Sequence, residues 1–288
     1  MISDIPFNAI IWFSAYILSV CFKVFFARYT TAKTDAFGFS LLILLGTGLD
    51  LLNFLGLFSA LALLLLSIPI KFQNNYFNHL SKLLLVVLSL GLAMHKIPGF
   101  FNQLVFSSDA FGQSGLPFTL YANVDKALAG LALLNAFSAH IKWRIGLKEL
   151  QLIALFLAGF YTLALILGAE FELKFMHLTW VFLLLNLFIT CIAEESFFRL
   201  AIQRPINKGL KNALNGGLAV LITAAIFMLA HFHTGEGAEK RLVLIFCAGL
   251  LYGTVYLKRN FGSAVMLHFS LNAIHFMLFT YPATFISR

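Results

Sequence analysis

Charged residues are scarce in this 288-residue chain. Asp, Glu, Lys and Arg make up 11% of it, against about 25% in a soluble domain. Hydrophobic residues make up 60%, well above the usual level of about 45–50%. This balance excludes an ordinary water-soluble domain and predicts a core built within the lipid bilayer, as an all-α bundle of transmembrane helices.

The marks of a secreted protein are also missing. The three cysteines, Cys21, Cys191 and Cys247, all lie in apolar stretches, too few and too scattered for a disulfide framework or a cysteine metal site. No Lys or Arg precedes the first apolar run, and no small-residue cleavage pattern follows it. We therefore expect a first transmembrane helix that is retained rather than a removable signal peptide.

Acidic residues are fewer than basic ones, which gives a net charge of +8. No basic surface with interleaved aromatic residues accompanies this excess, so we expect no nucleic-acid partner. Short cytoplasmic loops rich in Lys and Arg explain the same charge. No internal repeat or low-complexity tract is present. We expect the lipid bilayer to surround the protein.

Nine apolar stretches approach the length of about 20 residues that a helix needs to cross a bilayer. They cover residues 7–27, 36–70, 80–95, 124–141, 152–171, 176–201, 217–232, 242–257 and 263–281. The second is too long for one span, and its GTGLDLLNFLG segment contains glycines, Asp50 and Asn53, which favour a turn. We therefore predict a helical hairpin there and about ten spans in all, within a range of eight to ten. A single long tilted helix is the alternative.

Charges between the spans test this division. The basic connections lie around Arg28 and Lys33 and over 71–82, 142–148, 204–211 and 258–259, and the acidic ones around Asp109 and over 170–172 and 236–239. With ten spans, every basic connection falls on one side, which is the cytoplasmic side. With nine spans, the basic connection after the first span falls on the side opposite to the other basic connections. We predict a multi-pass protein of a bacterial inner membrane with both termini outside the cytoplasm.

The connection over 96–123 is long and turn-rich and contains six aromatic residues. We expect a structured external or re-entrant loop rather than a disordered one.

We divide the chain into N-terminal helices of unassigned role, residues 1–150, and a catalytic transmembrane core, residues 151–288.

Ionisable residues within the spans are costly and face protein or a water-filled cavity. Glu195 and Arg199 are spaced i, i+4 with the acid first, which favours a structural ion pair. Glu194 lies about 100° around the helix from Glu195. It lacks a helical partner, so we expect it in apolar surroundings as a candidate general base. After the residues at the flanks of the spans are removed, the remaining set is Asp50, Glu194, Glu195, Arg199, His231, His268 and His275.

Two later spans carry the other candidates. Phe227 and His231 share one helix face, and His268 and Asn272 share another. At 1.5 Å per residue, Glu194 lies roughly 15 Å and His231 roughly 20 Å from the cytoplasmic ends of their helices. Three antiparallel helices would bring these groups to one depth, and we expect the site to be reached from the cytoplasm.

Three segments resemble the motifs of a known family. EESFFR at 194–199, FMLAH at 227–231 and HFSLN at 268–272 are similar, in order and spacing, to the E-E-x-x-x-R, F-x-x-x-H and H-x-x-x-N motifs of the CAAX protease and bacteriocin-processing family. This family, also called CPBP or ABI, consists of intramembrane endopeptidases and includes the type II prenyl-protein peptidases. The resemblance covers about residues 175–281.

Two positions depart from the family pattern. Leu200 stands where a glycine commonly follows the arginine, and His233 adds an imidazole beside His231. The leucine puts the local helix packing in doubt, and the second histidine puts in doubt which imidazole acts. Because residues 231 and 233 point to nearly opposite helix faces, the Phe227 motif position favours His231.

The resemblance implies a role for each motif residue. Glu194 and His231 would activate a water molecule. His268 and Asn272 would donate hydrogen bonds to the oxyanion of the transition state. Structural support would come from Glu195, Arg199 and Phe227.

Zinc is the open alternative, held by Glu194, His231 and His268. The chain has no H-E-x-x-H helix, and the amide of Asn272 is a good oxyanion donor but a poor zinc ligand. We therefore favour a mechanism without metal or other cofactor.

Two other function classes fit the sequence less well. An inactive relative acting as a membrane scaffold or regulator would have no need of Glu194, and a transporter would be expected to show paired half-repeats, which are not visible. The expected substrate is a membrane-anchored protein or a small peptide. Nothing in the sequence selects for a prenylated cysteine.

Overall fold

The computed structural model describes residues 6–26, 29–68, 75–175, 178–232 and 237–281. Helices form most of it. The four before the long loop are α1 (Phe7–Phe25), α2 (Ala32–Gly48), α3 (Phe54–Ser67) and α4 (Asn75–Ala93). Those after it are α5 (Val124–Ala136), α6 (Leu147–Ile166), α7 (Leu178–Leu185), α8 (Ile192–Glu195), α9 (Arg204–Gly209), α10 (Gly217–Ala230), α11 (Ala238–Lys258) and α12 (Phe261–Leu278).

Six helical segments of the described chain are long and apolar enough to cross a membrane. They are Phe7–Phe25, Leu147–Ile166, Thr179–Gly209, Ala213–Ala230, Ala238–Lys258 and Phe261–Leu278, and two shorter apolar helices are Phe54–Ser67 and Asn78–Ala93. The prediction of a helical membrane bundle is confirmed. The count of ten spans is not confirmed and stays a prediction.

The long apolar stretch 36–70 is broken where the turn residues predicted a break. Asp50 has a left-handed backbone with φ of 59°. Asn53 then caps α3, because its side chain accepts hydrogen bonds from the backbone N–H groups of Leu55 and Gly56 at 3.0 and 3.2 Å. A polar cap of this kind satisfies donors that the helix itself leaves unpaired.

Residues 179–209 form one continuous helix, called here the site helix. Two of its segments, Asn186–Cys191 and Ser196–Gln203, have π-helical hydrogen bonding, and the short α8 lies between them. π-helical segments are rare and occur frequently at functional sites. The two glutamates lie in α8, so the helix geometry marks the same place as the sequence motif.

The 96–123 loop contains a β-hairpin, which the all-α prediction did not include. Strand β1 (Gln103–Phe111) pairs antiparallel with β2 (Leu116–Ala122). Its turn is fixed to other parts of the bundle: the Gln113 N–H donates to Glu172 Oε1 at 3.0 Å, and Ser114 Oγ donates to the Tyr281 carbonyl at 2.7 Å. The expected structured loop is therefore present, as an anchored hairpin.

Helix α5 lies at the centre of the bundle, with almost every side chain buried. It packs very closely on the site helix at Gly130. A Cβ atom added there would come within 2.7 Å of the Ala193 side chain and 2.9 Å of its backbone. This contact brings a helix from the N-terminal half directly beside Glu194.

Candidate active site

The two carboxylate oxygens of Glu194 have different neighbours. Oε1 accepts a hydrogen bond from Lys126 Nζ at 2.7 Å. Oε2 faces the Nε2 atoms of His231 and His268 at 3.7 and 3.9 Å. The side chain is only 14% exposed. The sequence led us to expect apolar surroundings, and that expectation is wrong because α5 brings Lys126 to the carboxylate.

Glu195 is fully buried and joins two helices. Its Oε2 accepts from Arg199 Nε at 2.7 Å, and its Oε1 pairs with His268 Nδ1 at 2.9 Å. Arg199 Nη1 donates in turn to Gln203 Oε1 at 2.8 Å. The spacing predicted the ion pair with Arg199, and the structure adds the bond to His268.

His231 follows directly after the last residue of α10. Its Nδ1 lies 2.8 Å from the Phe227 carbonyl oxygen, and its ring packs on the Phe227 ring at a centroid distance of 4.3 Å. The motif pair therefore orients one imidazole toward Glu194. His233, the additional imidazole of the sequence, lies outside the described residues.

Hydrogen bonding fixes which imidazole nitrogens carry protons. A backbone carbonyl and an ionised carboxylate only accept hydrogen bonds. The Nδ1 atoms of His231 and His268 must therefore be the donors to the Phe227 carbonyl and to Glu195. In the neutral ring each Nε2 then presents a lone pair. His268 would donate from Nε2 only as an imidazolium.

His268 and Asn272 are positioned by groups outside their own motif. The Tyr252 ring stacks on the His268 ring with centroids 4.4 Å apart and planes at 17°. Asn272 Nδ2 donates to Asn186 Oδ1 at 3.0 Å, so a π-helical residue holds this amide. His275, on the same helix, has Nε2 3.1 Å from the Thr280 carbonyl oxygen.

Residues of this site line three cavities. The largest, about 560 Å³, is called here the hairpin cavity because β2 forms one wall; Asn272 and His275 also line it. A second cavity of about 290 Å³ contacts Glu194, His231, His268 and Asn272. A third of about 220 Å³ lies between α4, α5 and the site helix and contacts Lys126, Glu194 and His231. Glu194 lines the two smaller cavities, and Asn272 lines the two larger ones.

The donor set of the site is only partly suited to zinc. Two imidazole Nε2 atoms and a carboxylate are suitable ligands, and the bonds made by both Nδ1 atoms are typical outer partners of metal-bound histidine. However, ligands about 2.1 Å from a tetrahedral zinc would be about 3.4 Å apart, closer than the 3.7 and 3.9 Å found here. The Lys126 ammonium also lies against Glu194, where it would repel a dication. Within the described ranges no group of three or more His, Cys, Asp or Glu side chains is arranged to hold a metal ion. The ligand separations and the Lys126 ammonium therefore disfavour zinc at this cluster.

Some residues at the site were not predicted from the sequence. Lys126, Asn186 and Tyr252 belong to none of the three motifs. For Lys126 the available signal was a lysine just inside an apolar span, where a flanking residue is also expected. Asn186 was an asparagine inside a transmembrane stretch, and Tyr252 carried no signal that separates it from other buried tyrosines.

The fold and these contacts define a helical membrane protein with a buried, cavity-lined Glu–His cluster. Residues 176–274 match the family described as "Type II CAAX prenyl endopeptidase Rce1-like". This match confirms the resemblance to the CAAX protease family for the C-terminal helices, and all residues of the three motifs lie within it. Lys126, the hairpin and the rest of the first 175 residues lie outside it. No significant match to a curated protein or to a solved structure was found.

Proposed function

We propose that this protein is an intramembrane endopeptidase that hydrolyses a peptide bond of a membrane-associated protein or peptide. The observation that carries the proposal is the orientation of Glu194, whose Oε2 faces two imidazole nitrogens beside open cavities. A water molecule bound there would be within reach of a carboxylate and of a histidine lone pair. The division at residue 150 and the inner-membrane location belong to the same proposal.

In the proposed reaction, Glu194 and His231 take a proton from the water as its oxygen attacks the scissile carbonyl carbon. That proton then passes to the leaving amine as the C–N bond breaks. His268 and Asn272 donate hydrogen bonds to the oxyanion, each such donor being worth about 10²–10³ in rate. Since His268 Nδ1 is bound to Glu195, this role requires the imidazolium form of His268.

The reaction is proposed to proceed without metal, because the Lys126 ammonium and the ligand separations disfavour zinc. Prolonged chelation of the purified protein should leave its activity unchanged, and metal analysis should find no stoichiometric zinc. Asn272→Ala should lower turnover by about 10²–10³ with little change in substrate affinity. One equivalent of tightly bound zinc, with activity lost on its removal and restored on its return, would overturn the metal-free mechanism.

The proposal is tested by comparing the membrane proteomes of cells that carry wild-type protein or Glu194→Gln. A cleavage product should disappear in Glu194→Gln. The stability of this variant should fall less than that of Glu195→Gln, because Lys126 keeps 15% exposure and lines a cavity, whereas Arg199 is fully buried. Glu195→Gln is the matched comparison and should lower abundance. It leaves Arg199 buried without its carboxylate, a loss that reaches about 3–5 kcal/mol.

A scaffold without activity is the competing class. It predicts that Glu194→Gln leaves every cleavage product in place. A well-folded but inactive Glu195→Gln beside an active Glu194→Gln would instead reverse the roles assigned to the two glutamates.

A further inference from the structure

The hairpin cavity is the largest space next to the candidate active site, and none of the three motifs accounts for it. Its floor contains Asn186, Thr190 and Asn272 of the site helix and α12. Thr190 and Asn272 also line the cavity that contacts Glu194. The two cavities therefore share a wall formed by Thr190, Asn272 and His275, and a ligand in the hairpin cavity would lie one side chain away from the cavity that contacts Glu194. A volume of about 560 Å³ is within the range of about 300–1,000 Å³ typical of ligand sites.

One wall of this cavity is the edge of a β-strand. The four consecutive residues 118–121 of β2 all line it. Side chains on a strand alternate between two faces, so a run of four neighbours means that the strand borders the cavity with its edge. The sheet has two strands, and the described residues provide no third strand beside β2. An unpaired edge of this kind presents N–H and C=O groups that can bind an extended peptide.

The rest of the lining suits an uncharged peptide main chain. No Asp, Glu, Lys or Arg among the described residues lines the hairpin cavity, whereas Asn102, Asn123, Asn186 and Asn272 do. Amide side chains both donate and accept hydrogen bonds, as a peptide backbone does.

Asn186 supplies a second, independent observation. It is 5% exposed, and its Oδ1 already accepts from Asn272. Its Nδ2 has no hydrogen-bond partner among the described residues. A buried donor left without a partner costs about 1–3 kcal/mol. The atom has almost no surface open to the cavity in this arrangement, so a carbonyl group of a bound peptide would satisfy it once the Asn186 amide turns toward the cavity.

We propose that the hairpin cavity binds the substrate as an extended, uncharged peptide segment, paired with the edge of β2 and accepting a hydrogen bond from Asn186 Nδ2. This rests on the proposed function, because the occupant is the substrate of that reaction. It makes the hairpin the element that sets the direction and conformation of the peptide. The peptide then runs past Asn272 toward Glu194.

The test measures binding rather than cleavage. The full-length Glu194→Gln protein, in lipid nanodiscs, is titrated against a fluorescent pool of end-capped octapeptides of uncharged residues, with empty nanodiscs subtracted. A second pool carries a methyl group on every internal backbone nitrogen and so cannot donate to a strand edge. Fluorescence anisotropy should show saturable binding of the first pool and binding at least tenfold weaker for the second.

The matched variants are Asn186→Leu and Asn135→Leu, added to the same protein. Asn135 is similarly buried, at 4% exposure, but does not line the cavity. Asn186→Leu should weaken binding about tenfold, and Asn135→Leu should leave it unchanged. Equal binding of the two pools, no effect of Asn186→Leu, or no saturable binding up to millimolar peptide would each overturn the proposal. Because the protein used is already inactive, these results are independent of whether Glu194 is the catalytic base.

Discussion

The carboxylate of Glu194 is held from one side by a residue of another helix. Lys126 binds Oε1 at 2.7 Å and leaves Oε2 to face the two imidazoles. A carboxylate that is fixed at one oxygen presents the other in a single direction. We therefore interpret Lys126 as a positioning residue for the proposed base, supplied by a part of the chain that the family match does not cover.

Replacing this lysine tests that interpretation. Lys126→Met should lower kcat by about tenfold to a hundredfold with little change in KM, because small misplacements of a reacting group have effects of this size. Lys126→Arg should restore part of the activity. Lys23→Met is the control, since Lys23 is buried, is ion-paired with Asp35 and lines none of the three cavities. It should affect stability but not turnover per folded molecule. Wild-type turnover in Lys126→Met would refute the positioning role.

At the residue scale, a contact can be predicted from the sequence when its two residues are one turn apart on the same helix. Glu195 and Arg199 are close in sequence, so the i, i+4 rule predicts their contact from the amino-acid order alone. Lys126 is 68 positions from Glu194, and no periodicity connects residues so far apart. The orientation of His268 by Glu195 is hidden from the sequence as well, because it depends on how two helices pack.

At the scale of elements, the contact between α5 and α8 sets the position of Lys126. Gly130 lies one helical turn after Lys126 on the same face, and it touches Ala193, the residue before Glu194. Any side chain at Gly130 would move the two helices apart. The ion pair between Lys126 and Glu194 would lengthen with them.

Gly130→Ala should therefore destabilise the protein by about 1–3 kcal/mol, as overpacking does, and should lower turnover as well. Gly159→Ala on α6 is the matched control, because an added Cβ there meets nothing within 4 Å. Thermal unfolding and turnover per folded molecule measure the two effects separately. The close contact would be unimportant for the site if both glycine variants behaved alike.

Two elements were not predicted from the sequence, for different reasons. The hairpin had a signal: GQSG at 112–115 separates two runs rich in aromatic and polar residues, a pattern typical of paired strands. The π-helical segments had none, since no residue type or spacing in them distinguishes i to i+5 bonding from ordinary α-helical bonding. The break at Asp50 was predicted correctly because turn residues interrupt an otherwise uniform apolar stretch.

At the scale of the whole molecule, two predictions from the sequence disagree about the side of the membrane from which the site is reached. The cavities around Glu194 lie near the hairpin, the start of α5 and the end of α10. The charge rule places these helix ends outside the cytoplasm, because the basic connections lie at the opposite ends. The expected opening toward the cytoplasm stays a prediction, and the position of the cavities favours access from the other side.

Topology measurements decide between the two sides. Reporter fusions after Tyr76 and Gly146 should indicate the cytoplasm, and fusions after Gln113 and Glu236 should indicate the opposite side. Opposite readings at two or more sites would refute the ten-span arrangement.

Thiol labelling in intact cells then locates the hairpin itself. Tyr121→Cys, in the exposed wall of the hairpin cavity, should react with a membrane-impermeant maleimide above the wild-type background. Lys148→Cys is the control and should react only after the cells are opened. If only Lys148→Cys were labelled in intact cells, the hairpin would lie on the cytoplasmic side.

The π-helical turn at Asn186–Cys191 has a consequence for how relatives of this chain should be aligned. Bonding from i to i+5 lets a helix absorb one additional residue while the turns on either side keep their places. A relative with one residue fewer between 186 and 191 would therefore keep its paired glutamates where they are and close this turn to ordinary α-helical bonding. Asn186 belongs to the turn that closes, so its contact with Asn272 would be lost. In an alignment, a one-residue gap just before the paired glutamates would identify relatives that share the hydrolytic residues but bind their peptides differently.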